Sequence, residues 1–154
     1  MIQILNTKQT QEIAKSLKEQ FGINEIPGRI MKLGEEKLFL FTGNATDEEI
    51  TILEKIVPIE RLGVYFAKMI REDIKLNIEG TQIFKDQINK NIFEIDEEQA
   101  TEWMEGHELN IKTGKKNFLV MKYKDNFLGC GKASEEKIGN FVPKMRRLKS
   151  RSVK

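Results

Sequence analysis

Apolar residues in this chain of 154 come in short runs separated by turn formers and helix caps. Nowhere is there an apolar stretch of about 18 residues, the length a helix needs to cross a bilayer. Short, punctuated runs of this kind predict an α+β chain of brief strands and helices. Hydrophobic residues make up 39% and charged residues 32%, which is polar but not too polar to fold. At this length roughly two-thirds of the extended surface can be buried, in one medium domain or two small ones.

The local signals are explicit. Ile13, Ala14, Leu17 and Phe21 recur at helical spacing over Thr7 to Phe21, and Gly22 stands where a helix-ending glycine belongs. Arg29 to Leu33 and Lys37 to Phe41 flank Gly34-Glu35-Glu36 as a hairpin. Thr46 and Glu49 have capping-box spacing, and Pro58 closes the helix they open. A second hairpin follows, Leu62 to Ile70 and Ile74 to Ile78, then a short helix or turn over Glu79 to Phe84. Polar residues 85–91 mark the expected boundary between a domain over 1–84 and another over 85–154.

The second half reads as a small barrel. Asn91 to Ile95 is a strand, and Asp96 caps a helix that carries Trp103 and Met104 and stops at Gly106. Glu108 to Ile111 is a further strand, Phe118 to Tyr123 and Phe127 to Lys132 form a hairpin, and Ile138 to Val142 is the last strand. Beyond Pro143 the chain is a basic tail.

Nothing here predicts catalysis. Gly129-Cys130-Gly131-Lys132 invites a phosphate-loop reading, but Asn126 and Ala133 stand where that motif requires Gly and Ser or Thr. Cys130 is the only cysteine and His107 the only histidine. They can make neither an internal disulfide nor an ordinary Cys/His zinc site, and no spacing pairs them as nucleophile and base. Asp96-Glu97-Glu98 is explained by the helix start. No metal and no cofactor is expected. Met1 to Leu5 is apolar too briefly for a secretory signal, and the expected address is the cytoplasm, with no membrane partner.

Charge is informative only once divided. The formal net charge is +2, yet residues 112–154 hold 13 basic and 3 acidic residues, leaving 13 basic and 21 acidic in 1–111. Seven acidic residues and no Lys or Arg lie between Ile92 and Ile111. A basic end of this kind suits a polyanion, and aromatics interleaved with lysines suit nucleic acid through stacking and phosphate neutralisation. Phe118 and Phe127 are expected in the core, as is Trp103, while Tyr123 beside the hairpin turn is free to stack.

Ordered stretches of the second half resemble a PUA domain, the small RNA-binding barrel of several RNA-modifying enzymes. These are Asn-Ile-Phe-Glu-Ile (91–95), Trp-Met-Glu-Gly-His (103–107), Asn-Phe-Leu-Val-Met-Lys-Tyr (117–123) and Phe-Leu-Gly-Cys-Gly-Lys-Ala-Ser (127–134). The last of them resembles the family's Gly-x-Gly strand. Residues 138–148 are similar to the PUA-like tails of Sun-type RNA cytosine methyltransferases. Arg-Leu-Gly-Val-Tyr-Phe-Ala-Lys (61–68) is similar to the pre-PUA domain of a large-subunit ribosome-biogenesis family. One departure is that Asp96-Glu97-Glu98 occupies the helix entry, where PUA domains often carry glycines and where carboxylates would repel phosphate.

These resemblances imply a non-catalytic RNA-binding protein of rRNA or tRNA modification or ribosome biogenesis. Its partners would be RNA and, beside it, an RNA-modifying enzyme or ribosome-assembly proteins. The expected RNA-binding residues are Lys122, Tyr123, Lys124, Lys132, Lys144, Arg146, Arg147, Lys149 and Arg151, the cations meeting phosphates and Arg146 or Arg147 also a base edge. The alternative is a protein-interaction adaptor whose acidic 92–111 face docks a basic partner. A third reading, an RNA-modifying enzyme, lacks a visible nucleophile or cofactor loop.

Overall fold

Three helices begin with the same reciprocal device. In α1 (Thr7–Phe21), α2 (Asp47–Ile56) and α4 (Glu97–Met104), the N-cap side chain accepts from the third helical N–H while that residue's side chain accepts from the N-cap N–H. The pairs are Asn6 with Gln9, Thr46 with Glu49 and Asp96 with Gln99. Each satisfies two backbone donors that the helix itself leaves unpaired. α1 ends at Gly22, whose φ of 81° is the left-handed cap conformation.

The computed structural model describes residues 2–59 and 62–149, and its fold is α+β. An antiparallel sheet runs in chain order through β1 (Ile2–Ile4), β2 (Arg29–Leu33), β3 (Lys37–Phe41), β4 (Val64–Ile70) and β5 (Asp73–Leu76). A short helix, α3 (Ile78–Ile83), leads away from it. The second sheet is β6 (Ile92–Glu94), β7 (Phe118–Tyr123), β8 (Asn126–Ala133) and β9 (Ile138–Gly139), with β6 parallel to β7 and the rest antiparallel. The β6–α4–β7 crossover is what makes that parallel pairing possible.

Alternation along the strands assigns each face an occupant. On one face of the first sheet, Leu38, Leu40, Ala67, Ile74 and Leu76 pack with Ile13, Leu17 and Phe21 of α1. Phe118, Val120, Phe127 and Cys130 of the second sheet belong to the same cluster. On the other face Met31 and Phe39 meet Ile50 of α2. The second sheet's outer face, Leu119 and Met121, covers Trp103 and Ala100 of α4. Trp103 is fully buried and its indole N–H donates to the Leu128 carbonyl at 2.9 Å.

Residues 85–91 are stitched to the end of α1. The Gln87 side-chain oxygen accepts from the N–H groups of Asn24 and Glu25, both at 2.8 Å, and the Asn89 N–H donates to the Phe21 carbonyl. Ile88 is buried in the shared cluster.

Two expected strands are shorter than their sequence suggests. Glu108 to Ile111 contributes a single bridge, Leu109 to Ile138, because the Ile111 N–H turns back onto the Leu109 carbonyl. The last strand is only Ile138–Gly139. Immediately afterwards the Asn140 amide donates to the carbonyls of Trp103 and His107, and its oxygen accepts from Val142 N–H. Those bonds replace a ladder, and Pro143 has no N–H to resume one.

Register also places three lysines in line. Ile2 pairs with Leu33, Leu33 with Lys37, Lys37 with Lys68, and Lys68 with Lys75. One row across all five strands therefore reads Ile-Leu-Lys-Lys-Lys. Like charges directly opposite on a sheet oppose its formation.

Candidate nucleic-acid interface

The β7–β8 hairpin positions the first group of expected contacts, and the pleat divides them. Lys122 pairs with Phe127 and Lys132 with Phe118. Their ammonium groups lie 5.8 and 4.7 Å from those ring centroids. Both rings are core, 5% and 3% exposed, and both lysines are half-buried above them. Tyr123 turns to the opposite face, packing toward the Trp103 cluster, with Lys124 at 5.4 Å. Lys124 sits in the turn at a φ of 53°. Tyr123 and Lys124 therefore do not share a surface with Lys132.

The basic tail is strapped down over Pro143 to Leu148. A 3-10 turn spans Lys144–Arg146. Arg146 is ion-paired with Glu79 of α3. Arg147 donates from Nε to the Val142 carbonyl at 2.9 Å and lies against Gly106. The Leu148 N–H donates to the Met104 carbonyl at 2.8 Å. Lys144 and Lys149 are exposed. Arg146 and Arg147 thus have structural partners of their own, and Arg151 lies outside the described residues.

Between the two sheets runs a groove of about 340 Å³, bordered by Tyr65, Lys75, Asn77, Glu79, Phe141 and Arg146. Phe141 is 44% exposed, its ring 6.2 Å from that of Phe118, and the Lys75 ammonium lies 4.0 Å from its centroid. Burial holds the Lys75 pKa below the usual lysine value, and the neighbouring Lys68 lowers it further. Lys68 itself is raised, by its hydrogen bond to Glu36 at 3.1 Å and by that carboxylate's charge. Phe141 and Lys75 were not among the sequence-derived contacts. The aromatics-among-lysines signal stands at Phe141, three residues before Lys144, but Lys75 is separated from it by most of the second half.

Cys130, at the back of this groove, is fully enclosed, and burial pushes its thiol up to about 12. At neutral pH it is a protonated packing group, because the thiolate is the nucleophilic form. Among the described residues no three His, Cys, Asp or Glu side chains converge as a metal site, and no helix is long and apolar enough to cross a membrane. The groove presents the Lys75 ammonium, the Tyr65 and Phe141 rings and the ion-paired Arg146 and Glu79 side chains, while the Asn77 amide is already bonded to Tyr65 and Gly80.

Residues 90–148 match the sequence model of the family described as Methyltransferase RsmF PUA domain. The second half of the chain is PUA-like. Similarity also reaches into the first half. Over 140 residues, 87% of this chain, it is 26% identical to the Ribosomal RNA small subunit methyltransferase F of Psychromonas ingrahamii. The matched part is 28% of that relative's length. The chain resembles PUA-domain RNA-binding proteins in the form carried by Sun-type methyltransferases. In the PUA-like half, Gly131 explains part of the family-like Gly-x-Gly strand. A Cβ there would come within 2.6 Å of the Trp103 ring, so the glycine seats the tryptophan against β8.

Proposed function

We propose that this protein binds RNA without catalysis, through its PUA-like half, in ribosomal RNA modification. The observation that carries the reading is the coincidence of the 90–148 match with a cationic, aromatic surface on the same residues. Lys132, Lys144 and Lys149 meet phosphates, and the groove beside Phe141 admits a base. Arg146 and Arg147 hold the tail in place, so their contribution to RNA is to present Lys144 and Lys149. The likeness to a ribosomal RNA methyltransferase supports ribosomal RNA as the class of RNA. A tRNA substrate and a role in ribosome assembly follow the same surface chemistry and are separated by which RNA is retained.

The test is binding of a small-subunit rRNA fragment against a tRNA across a salt series. Lys132→Gln/Lys144→Gln/Lys149→Gln should lower the salt slope of log K by about 0.7 per lost single-strand phosphate contact. An unchanged slope and affinity refute the assignment of these lysines. Absence of wild-type binding to either RNA refutes the function.

A protein-docking reading rests on Glu94, Asp96, Glu97 and Glu98, which are all exposed around the β6–α4 junction. It requires a basic partner that survives nuclease treatment and is lost on Glu94→Lys/Glu97→Lys/Glu98→Lys.

A further inference from the structure

The lysine row on the first sheet has a cost that its surroundings only partly offset. Lys37, Lys68 and Lys75 are successive cross-strand partners on β3, β4 and β5. Glu36 is ion-paired with Lys68 at 3.1 Å. Lys37 and Lys75 point instead at aromatic rings, Lys37 at Tyr65 with 5.7 Å to the centroid and Lys75 at Phe141 with 4.0 Å. Ring faces attract a cation but do not neutralise it. Adjacent strands lie about 4.8 Å apart, so the register sets three lysines side by side across β3, β4 and β5, each ammonium reaching its own neighbour: Tyr65, Glu36 and Phe141. At one end of the row stands Phe141, and beyond it Phe118 and Lys132 of the second sheet. Lys75, Phe141 and Lys132 thus follow one another across the two sheets, joined by the buried Phe118 ring.

We propose that Lys37, Lys68 and Lys75 form a phosphate-binding row for single-stranded RNA, with Phe141 receiving a base where the row meets the PUA-like half. The inference rests on the RNA-binding reading above, whose groove Lys75 already borders, and extends it along the first sheet to Lys68 and Lys37. A phosphate beside Lys68 and Lys75 removes the repulsion that the register imposes. Single-stranded RNA fits better than a duplex because a ring that is half-exposed at a groove edge can take only an unstacked base. Strand and loop bring the row together from positions scattered over 37–75, so it is a property of the register and not of any basic segment.

The experiment measures binding of a fluorescently labelled oligouridylate to the full chain at several salt concentrations. Lys37→Gln/Lys68→Gln/Lys75→Gln should reduce the salt slope of log K by about 2, at about 0.7 per contact. The all-arginine version of the same three positions should keep the wild-type slope. Phe141→Ala should weaken binding about tenfold or more with little change in slope, because stacking releases no counterions. Lys37→Gln alone, at an exposed position, should lower the slope by about 0.7 and reads the row should the triple substitution disturb the sheet. A wild-type slope in the glutamine variant overturns the row while leaving RNA binding by the PUA-like half intact, and undiminished affinity in Phe141→Ala overturns the base contact in both readings. No oligouridylate or rRNA binding by the wild type overturns both. Polyglutamate binding as tightly as the RNA, and weakened equally by the glutamine substitutions, would make the row a site for acidic protein and overturn the proposal.

Discussion

Gly131 shows how one missing side chain organises the PUA-like half. A Cβ at this place on β8 would meet both the Trp103 ring and the Ile138 side chain. Gly131→Ala should therefore overpack the core and cost about 1–3 kcal/mol, read as a lower urea midpoint with unchanged m-value. Cys130, its neighbour, gives a pH-dependent contribution. Its ordinary pKa of 9.0 is raised to about 12 by burial, so between those values the unfolded chain ionises first. The thiol's stabilising contribution is complete below pH 9 and falls as pH rises toward 12. Cys130→Ala should accordingly lose less stability than the wild type between pH 8 and pH 10, in paired urea titrations. Iodoacetamide should label the wild-type thiol only as fast as the protein opens.

At the scale of elements, the helices and hairpins were legible because their signals are local. Thr46 and Glu49 meet across one helical turn, so their spacing in the chain is their spacing in space. Removing one partner should show it: Thr46→Ala is expected to lower stability by about 1 kcal/mol, measured by thermal unfolding. The hairpins over 29–41 and 118–133 are local for the same reason. The ends of the PUA-like half were not legible. Whether Glu108 to Ile111 and Ile138 to Val142 become strands depends on what neighbours offer them. Asn140 satisfies its surroundings by bonding Trp103 and His107 instead. The sequence marks only a basic tail, whereas in the structure Arg146 is held by Glu79 and Arg147 by Val142, contacts with residues remote in sequence or bent back on the chain.

Across the whole molecule the two halves share a hydrophobic cluster: α1 packs on one side and Phe118, Val120, Phe127 and Cys130 on the other. A common core of this kind couples their unfolding. Amides in α1 and in β7 should lose hydrogen-exchange protection at the same denaturant concentration, and separate transitions would show that the shared cluster contributes little. The charge split has a similar whole-molecule outcome. Its positive part does lie on the PUA-like half, but three lysines in direct cross-strand register belong to the first sheet, in the portion whose net charge is negative.

The sequence by itself determined the α+β class, the capped helices, the hairpins and the resemblance of the second half to a PUA domain. All of these depend on residues a few positions apart or on their order along the chain. Only the tertiary structure decided which cations share a surface. The pleat sends Tyr123 and Lys132 to opposite faces, and the tail folds back to its own partners. Sheet register aligns Lys37, Lys68 and Lys75 beside Phe141. Register is set by which faces must be buried, and no spacing along the chain records it.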